Sequence, residues 1–294
     1  MSTSAKPAST PVLAALFVPL WSTGFVTARL VAPHAEPLTF LSLRFVLAGL
    51  VLAAAVAALR RPWPSLAGVV QAIFAGVMIH GLYLGCVFFS VAHGLPSGIS
   101  ALVAGLQPLL TGLLAGPLLG ESVSGRRWLG IALGAAGAGL TLAPRLGSLG
   151  EGAIPLGALA ICAVGTVAIT FGTIYQKRTA RSADLLANTA LQYAGAILPV
   201  GLGALALEHG RFDVAAPAAW AGLLWSIFGM SIGAILLLMV LIRRGAVAQV
   251  AALLYLVPGV SALMAYGMFD ETLTGVQIGG LALAAVGVAI ASRG

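Results

Sequence analysis

Ten stretches of the chain stay apolar for about 20 residues, the length a helix needs to cross bilayer hydrocarbon. They run Pro11–Val31, Pro37–Leu59, Leu66–Val91, Pro96–Leu119, Trp128–Ala143, Ala153–Gln176, Leu185–Leu207, Ala216–Ile242, Ala246–Met268 and Val276–Ala291. The connections between them leave no room for a soluble domain. With 60% hydrophobic and 8% charged residues and a mean hydropathy of +1.06, the chain has too little polar surface to coat a water-soluble globule. The expected class is an all-α integral membrane protein, because lipid offers no partner for an unpaired backbone group. The first ten residues are polar with one Lys6, and the apolar stretch that follows is too long for a signal-peptide core, so it is read as a retained span. Cys86 and Cys162 fall inside spans, where small packing roles are expected rather than a disulfide.

The net charge of +7 and a pI near 10.1 would suggest nucleic acid in a soluble protein. Here the cations gather in twos and threes at span ends, as the positive-inside rule describes. With the N-terminus in the cytoplasm, the inner ends hold eleven of them: Lys6, Arg60, Arg61, Arg126, Arg127, Lys177, Arg178, Arg181, Arg243, Arg244 and Arg293. The outer loops hold Arg145 and Arg211, and Arg29 and Arg44 lie within or at the edge of spans. Both termini are therefore expected inside a plasma membrane, bacterial inner membrane included, with no role in nucleic-acid binding.

The chain also repeats itself. Pro108 and Pro258 are 150 positions apart, as are Glu121 and Glu271, Gly125 and Gly275, Gly130 and Gly280, and Gly137 and Gly287. The seam falls near 145–155, giving a first repeat over 1–147 and a second over 148–294. Five spans per repeat is an odd number, so the second repeat enters the membrane from the opposite side. Inverted repeats of this kind build many secondary transporters, in which rocking one half against the other exposes a central site to alternate sides. The expected architecture is ten transmembrane helices as two inverted five-helix repeats around a central cavity.

Leu20-Trp21-Ser22-Thr23-Gly24-Phe25-Val26, followed by Pro37, Arg44 and Ala48, resembles the start of the first repeat of the EamA family in the drug/metabolite transporter superfamily. The pattern Pro108, Gly120-Glu121, Gly130 and its copy Pro258, Glu271, Gly280 resembles the end of each EamA repeat. The resemblance covers essentially the whole chain, and its length, loops and tandem Pro/Glu marks look most like the YddG-type exporters of aromatic and other amino acids. It implies a ten-helix basket, alternating access, and a small-molecule substrate drawn from amino acids, metabolites or drugs. Arg44 matches the arginine usual at its place in the family.

All eight acidic residues, Glu36, Glu121, Glu151, Asp184, Glu208, Asp213, Asp270 and Glu271, lie in loops or at helix ends. This argues against a mid-membrane carboxylate relay and against a tightly held dehydrated cation. Neither a metal nor a cofactor is expected. His80, near the middle of the third span, is the deep side chain whose ordinary range lies nearest neutral pH. Tyr83, Val87 and Ser90 continue its face. Two readings stand for His80: contact with substrate, or a hydrogen bond between helices.

The fourth span carries a small, polar stripe at helical spacing, Ser97, Ser100, Ala104, Gln107 and Thr111, opposite Leu102, Leu106, Leu109 and Leu113. Such a stripe lines water or meets another helix. Gln107 both donates and accepts hydrogen bonds. Pro108 and Pro258 are expected to kink their helices, freeing a carbonyl one turn earlier. Thr166, Thr170 and Thr173 share a face of the sixth span, although threonine often bonds its own backbone.

Trp21, Phe25, Trp225, Gln249 and Tyr255 also lie deep within spans. As core packing they are unremarkable; together with His80, Tyr83, Ser100, Gln107 and Thr173 they would suit a cavity for flat, zwitterionic solutes. Arg29 and Arg44 are read either as snorkelling and structural or as an outer gate that attracts a carboxylate. Gly112, Gly116 and Gly120, and Gly130 with Gly134, allow close helix crossings, within a monomer or in a weak homodimer. No HExxH, paired mid-span aspartate or P-loop lysine supports an intramembrane enzyme, and no filter loop supports a channel. The expected function is export of small organic solutes, amino acids including aromatic ones, by a secondary carrier; broad-specificity drug or metabolite export is the alternative.

Overall fold

The computed structural model describes residues 10–107, 110–111, 113–114, 124–146, 154–179, 184–234, 237, 240–241, 257–269 and 273–292. Their helices are α1 (Thr10–Val31), α2 (Pro37–Ala58), α3 (Leu66–Ala92), α4 (Ser97–Ala104), α5 (Gly125–Leu146), α6 (Leu156–Thr179), α7 (Leu185–Leu207), α8 (Pro217–Ala234), α9 (Val257–Phe269) and α10 (Gly275–Ser292). Five of them, α2, α3, α6, α7 and α8, are long and apolar enough to cross a bilayer. No β-strand occurs among the described residues; one isolated bridge joins Ala35 to Phe212.

The helix ends follow local chemistry. Pro37 and Pro217 open α2 and α8, where a missing N–H costs nothing. Asp184 caps α7 by accepting from the amides of Leu186 at 3.0 Å and Ala187 at 3.2 Å. Beyond α3, Gly94 takes φ +90° while Leu95 N–H reaches back to Ser90 O at 3.0 Å, a Schellman closure. The end of α2 is closed the same way, with Arg61 N–H on Val56 O at 2.9 Å. There the left-handed position is held by Arg60, at φ +50°.

Side-chain neighbours fix helix directions. Leu38 lies against Gly203 and Tyr193 against Gly49, so α2 and α7 run antiparallel. Asp184, at the start of α7, is 4.0 Å from Arg61, just past the end of α2. Gly76 sits on the backbone of Gln192 and Gly81 on Pro199, so α3 runs parallel to α7. A Cβ at Gly76 would collide with that backbone, and glycine is what permits the approach. α5 and α10 pair antiparallel in the same manner, Gly137 against Gly280 and Ala284, Gly287 against Gly134.

Two helices widen. Val77–Leu82 of α3 and Trp225–Ala234 of α8 are π-helical, the wider turn often found at functional sites. The buried core, with the Phe40–Phe88 stack at 5.8 Å and Phe45, Leu52, Val87 and Tyr193, lies between α2, α3, α7 and α8 and extends to α1, α4, α6 and α9. The outside is leucine and valine: Leu50, Val70, Leu202 and Leu205 are all exposed. An all-helical bundle with this surface is a multi-pass membrane protein, since only lipid solvates such a face.

Candidate functional site

The two π stretches face each other across a buried polar cluster. His80, in the first, places Nε2 3.0 Å from Oε1 of Gln192 on α7. An amide oxygen only accepts, so Nε2 carries the hydrogen and donates it. Arg44 on α2 donates from Nε to Oγ of Ser231, in the second π stretch, at 3.3 Å. Phe45 and Tyr193 stack between these two bonds with centroids 5.5 Å apart. The imidazole of His80 stands edge-on to Tyr193 at 5.0 Å. The guanidinium carbon of Arg44 lies 5.8 Å from the Phe45 centroid, and the Tyr193 phenol faces the same guanidinium and Ser231.

A numerical relation runs through the cluster. Gln192 and Tyr193 follow Arg44 and Phe45 by 148 positions, and Ser231 follows His80 by 151. Arg44 of the first half therefore bonds a residue of the second, while Gln192, its counterpart, bonds back into the first.

A second polar line joins α4 to α6. Ser100 Oγ lies 3.4 Å from Cys162 Sγ, and Gln107 Nε2 donates to Thr173 Oγ1 at 3.2 Å. α4 ends at Ala104, and a turn over 105–106 separates it from Gln107. The threonine face of α6 is occupied by its own backbone: Thr166 donates to Cys162 O, Thr170 to Thr166 O and Thr173 to Thr170 O. Tyr83 packs beside this line, where Gly165 meets its backbone carbonyl.

The other residues singled out from sequence are distributed as follows. Phe25 is buried in the core, and Trp21 is half-buried, tilted against Phe17 at 5.2 Å. Trp225 is 44% exposed and donates its indole N–H to Thr23 at 2.9 Å, tying α8 to α1 rather than joining the polar cluster. Arg29 is exposed within the last turn of α1, and Arg44 is only 4% exposed. The backbone of Pro258 is in the first turn of α9. Pro108, Gln249 and Tyr255 lie outside the described residues, as do Glu121 and Glu271.

Gln192, Tyr193 and Ser231 escaped the sequence reading. The available signal was the 148-position offset, which sets Gln192 and Tyr193 opposite Arg44 and Phe45.

Clefts lined by described residues lie at both ends of the bundle. One, a shallow groove, sits at the Arg61 end between α3, α6 and α7 and is lined by Gln71, Gln176, Thr179 and Asn188. The other, equally shallow, sits between α4, α5, α9 and α10 and is lined by Pro96, Thr141, Ala262 and Gln277.

At the Glu36 end the halves exchange caps. Glu208, just past α7, accepts from Leu38 N at 2.8 Å, Thr39 N at 2.7 Å and Thr39 Oγ1 at 2.8 Å at the start of α2. Glu36 accepts in return from the amides of Arg211 at 2.7 Å and His209 at 3.0 Å. Those bonds, the Arg211 amide foremost, hold its carboxyl below the usual glutamate value of 4.5.

An apolar helical bundle with a buried polar middle is the build of a multi-pass membrane transporter. The chain belongs to the EamA-like transporter family, whose sequence profile matches it twice, at residues 9–143 and 156–293. It is 28% identical over 273 residues to the uncharacterized inner membrane transporter YedA of Escherichia coli (strain K12), covering 91% of this chain and 86% of that protein. It is 26% identical over 282 residues to the uncharacterized transporter YvbV of Bacillus subtilis (strain 168), covering 93% and 88%. It is 26% identical over 286 residues to a probable amino-acid metabolite efflux pump of Salmonella typhimurium, covering 95% and 93%. A protein of known crystal structure shares the fold at a TM-score of 0.69 and 20% identity, over 97% of this chain and 99% of that one.

Proposed function

We propose that this chain is a secondary carrier that exports small organic solutes, amino acids including aromatic ones, across the bacterial inner membrane by alternating access between two inverted five-helix repeats. The observation that carries the proposal is the crossed pair of hydrogen bonds, Arg44 to Ser231 and His80 to Gln192, around the Phe45–Tyr193 stack. Both bonds join one half of the chain to the other at matched positions. An inverted pair of halves uses such contacts as a fulcrum. The antiparallel run of α2 and α7 and the π stretch in both α3 and α8 support the same symmetry. The likeness to the Salmonella amino-acid metabolite efflux pump favours amino acids and their metabolites as cargo.

The path runs between the two end clefts past His80, Tyr83, Ser100, Gln107 and Thr173, and the cationic ends near Arg61 face the cytoplasm with both termini. Counterflow of radiolabelled amino acids in proteoliposomes tests the activity: saturable exchange supports a carrier, and unsaturable leakage means a pore. Competition by cationic dyes in place of amino acids points instead to broad-specificity export. Cysteines placed at Glu121 and Glu271 test the inversion. Labelling of both from one compartment overturns it.

A further inference from the structure

Among the described residues, no carboxylate meets the charge of Arg44. Its side chain is 4% exposed and lies within a helix long and apolar enough to span the membrane. A bare guanidinium at such depth costs several kcal/mol unless an anion or several acceptors meet it. Among the described residues, what meets it is one neutral serine through Nε, the Tyr193 phenol, and the ring of Phe45 at 5.8 Å. The described carboxylates are all engaged elsewhere. Asp184 caps α7 near Arg61, Glu208 caps α2, Glu36 takes two amides of 209–211, and Asp213 takes the amide of Ala215 at 3.0 Å. The four other acidic residues fall at sequence positions in loops or at span ends.

A second observation points to the same place. Ser226 is wholly buried and its Oγ has no hydrogen-bond partner. It lies five residues before Ser231 in the same π stretch, where i and i+5 come close to one face. The π stretch thus carries a second buried hydroxyl about one turn from the serine that Arg44 bonds. The counterpart position, Gln192, is neutral and already satisfied by His80. The two halves therefore hold one positive charge and one neutral amide around the Phe45–Tyr193 stack.

We propose that the guanidinium of Arg44, with Ser231 beside it and the unpartnered Ser226 a turn away in the same π stretch, binds the carboxylate of the transported solute, so that a carboxylate is what this carrier requires of its cargo. Guanidinium and carboxylate match as two parallel N–H···O bonds, which a lone ammonium does not reproduce. The aromatic pair Phe45 and Tyr193 then lies beside the remainder of the solute. This rests on the exporter reading for its meaning, but binding can be tested without transport.

The test compares L-phenylalanine, 3-phenylpropionate and L-phenylalaninol on the purified wild-type protein and on Arg44→Lys and Arg44→Gln. The first readout is the thermal midpoint in detergent at matched ionic strength. The two carboxylates should raise the wild-type midpoint, whereas phenylalaninol and sodium chloride should not. Arg44→Gln should lose the carboxylate response and Arg44→Lys should keep part of it. The second readout is competition for labelled phenylalanine in counterflow, where Arg44→Lys should raise KM at least tenfold. A wild-type midpoint that responds equally to phenylalaninol, or to chloride alone, overturns the carboxylate site. So does an Arg44→Lys protein with wild-type KM and an unchanged order of competitors. If Arg44→Gln does not fold, the wild-type ligand series and Arg44→Lys still decide the matter. Carboxylate-specific stabilisation without counterflow of any amino acid keeps this site and sinks the amino-acid exporter reading alone.

Discussion

Glu208 and Thr39 are joined twice: one carboxylate oxygen of Glu208 takes both the backbone N–H and the side-chain hydroxyl of Thr39, at 2.7 and 2.8 Å. The other takes Leu38 N at 2.8 Å. A carboxylate here satisfies amides that have no partner inside α2 and also complements the positive end of the helix. Glu208→Ala should therefore destabilise the protein by about 1–2 kcal/mol. The thermal midpoint of detergent-solubilised protein measures it, and an unchanged midpoint would mean that water replaces the cap at no cost.

The partner carboxylate gives a pH dependence. Glu36 titrates below the ordinary 4.5 in the folded protein because the Arg211 and His209 amides favour its charged form. A depressed folded value means that the stability it contributes is present above the unfolded value. It is lost as pH falls through the folded one. The midpoint difference between wild type and Glu36→Gln should stay constant near neutrality and shrink once the pH drops below 4.5. A difference that instead grows on acidification contradicts the assignment.

His80→Ala removes the donor to Gln192, whose side chain is 4% exposed. An amide oxygen left unpaired in the core costs about 1–3 kcal/mol. The variant should still insert, and its initial counterflow rate should drop at least tenfold. Gln107→Ala breaks the link to Thr173 and should impair transport too. If both variants exchange solute at wild-type rates, the cavity does not pass these residues.

Arg60 occupies a left-handed position that glycine fills without strain. Arg60→Gly should raise stability by about 1 kcal/mol. The same change removes a cation from the Arg61 end, so membrane orientation should be checked beside the midpoint. A lower midpoint would show that the arginine side chain contributes more than its backbone costs.

Gly280 packs on Thr141 and on the backbone of Gly137. Gly280→Val should therefore force α5 and α10 apart and cut the yield of folded protein severalfold, as monodispersity after detergent extraction would report. Wild-type yield would mean the pair is held elsewhere.

Much of the fold was legible because lipid imposes a simple rule: long apolar stretches become helices, and Pro37–Leu59, Leu66–Val91 and Leu185–Leu207 did so to within a residue or two. Polar faces were legible as faces, and the threonine line of α6 lies against the stripe that Ser100 on α4 carries and Gln107 continues. Partnership was not. Gln192 was passed over because a lone glutamine in an apolar run carries no local mark, and its bond to His80 depends on how far α3 slides along α7. Backbone contact at Gly76 sets that slide. Trp225 shows the converse. A deep position along a helix says nothing of its azimuth, and its ring faces outward over Thr23.

The carboxylate that closes the start of α2 arrives 170 positions later in the chain. During synthesis, the second helix must enter the bilayer with its leading amides unfinished and wait for most of the polypeptide to follow. A ribosome stalled midway would leave that helix frayed at one tip, a natural handle for proteases that survey nascent membrane chains.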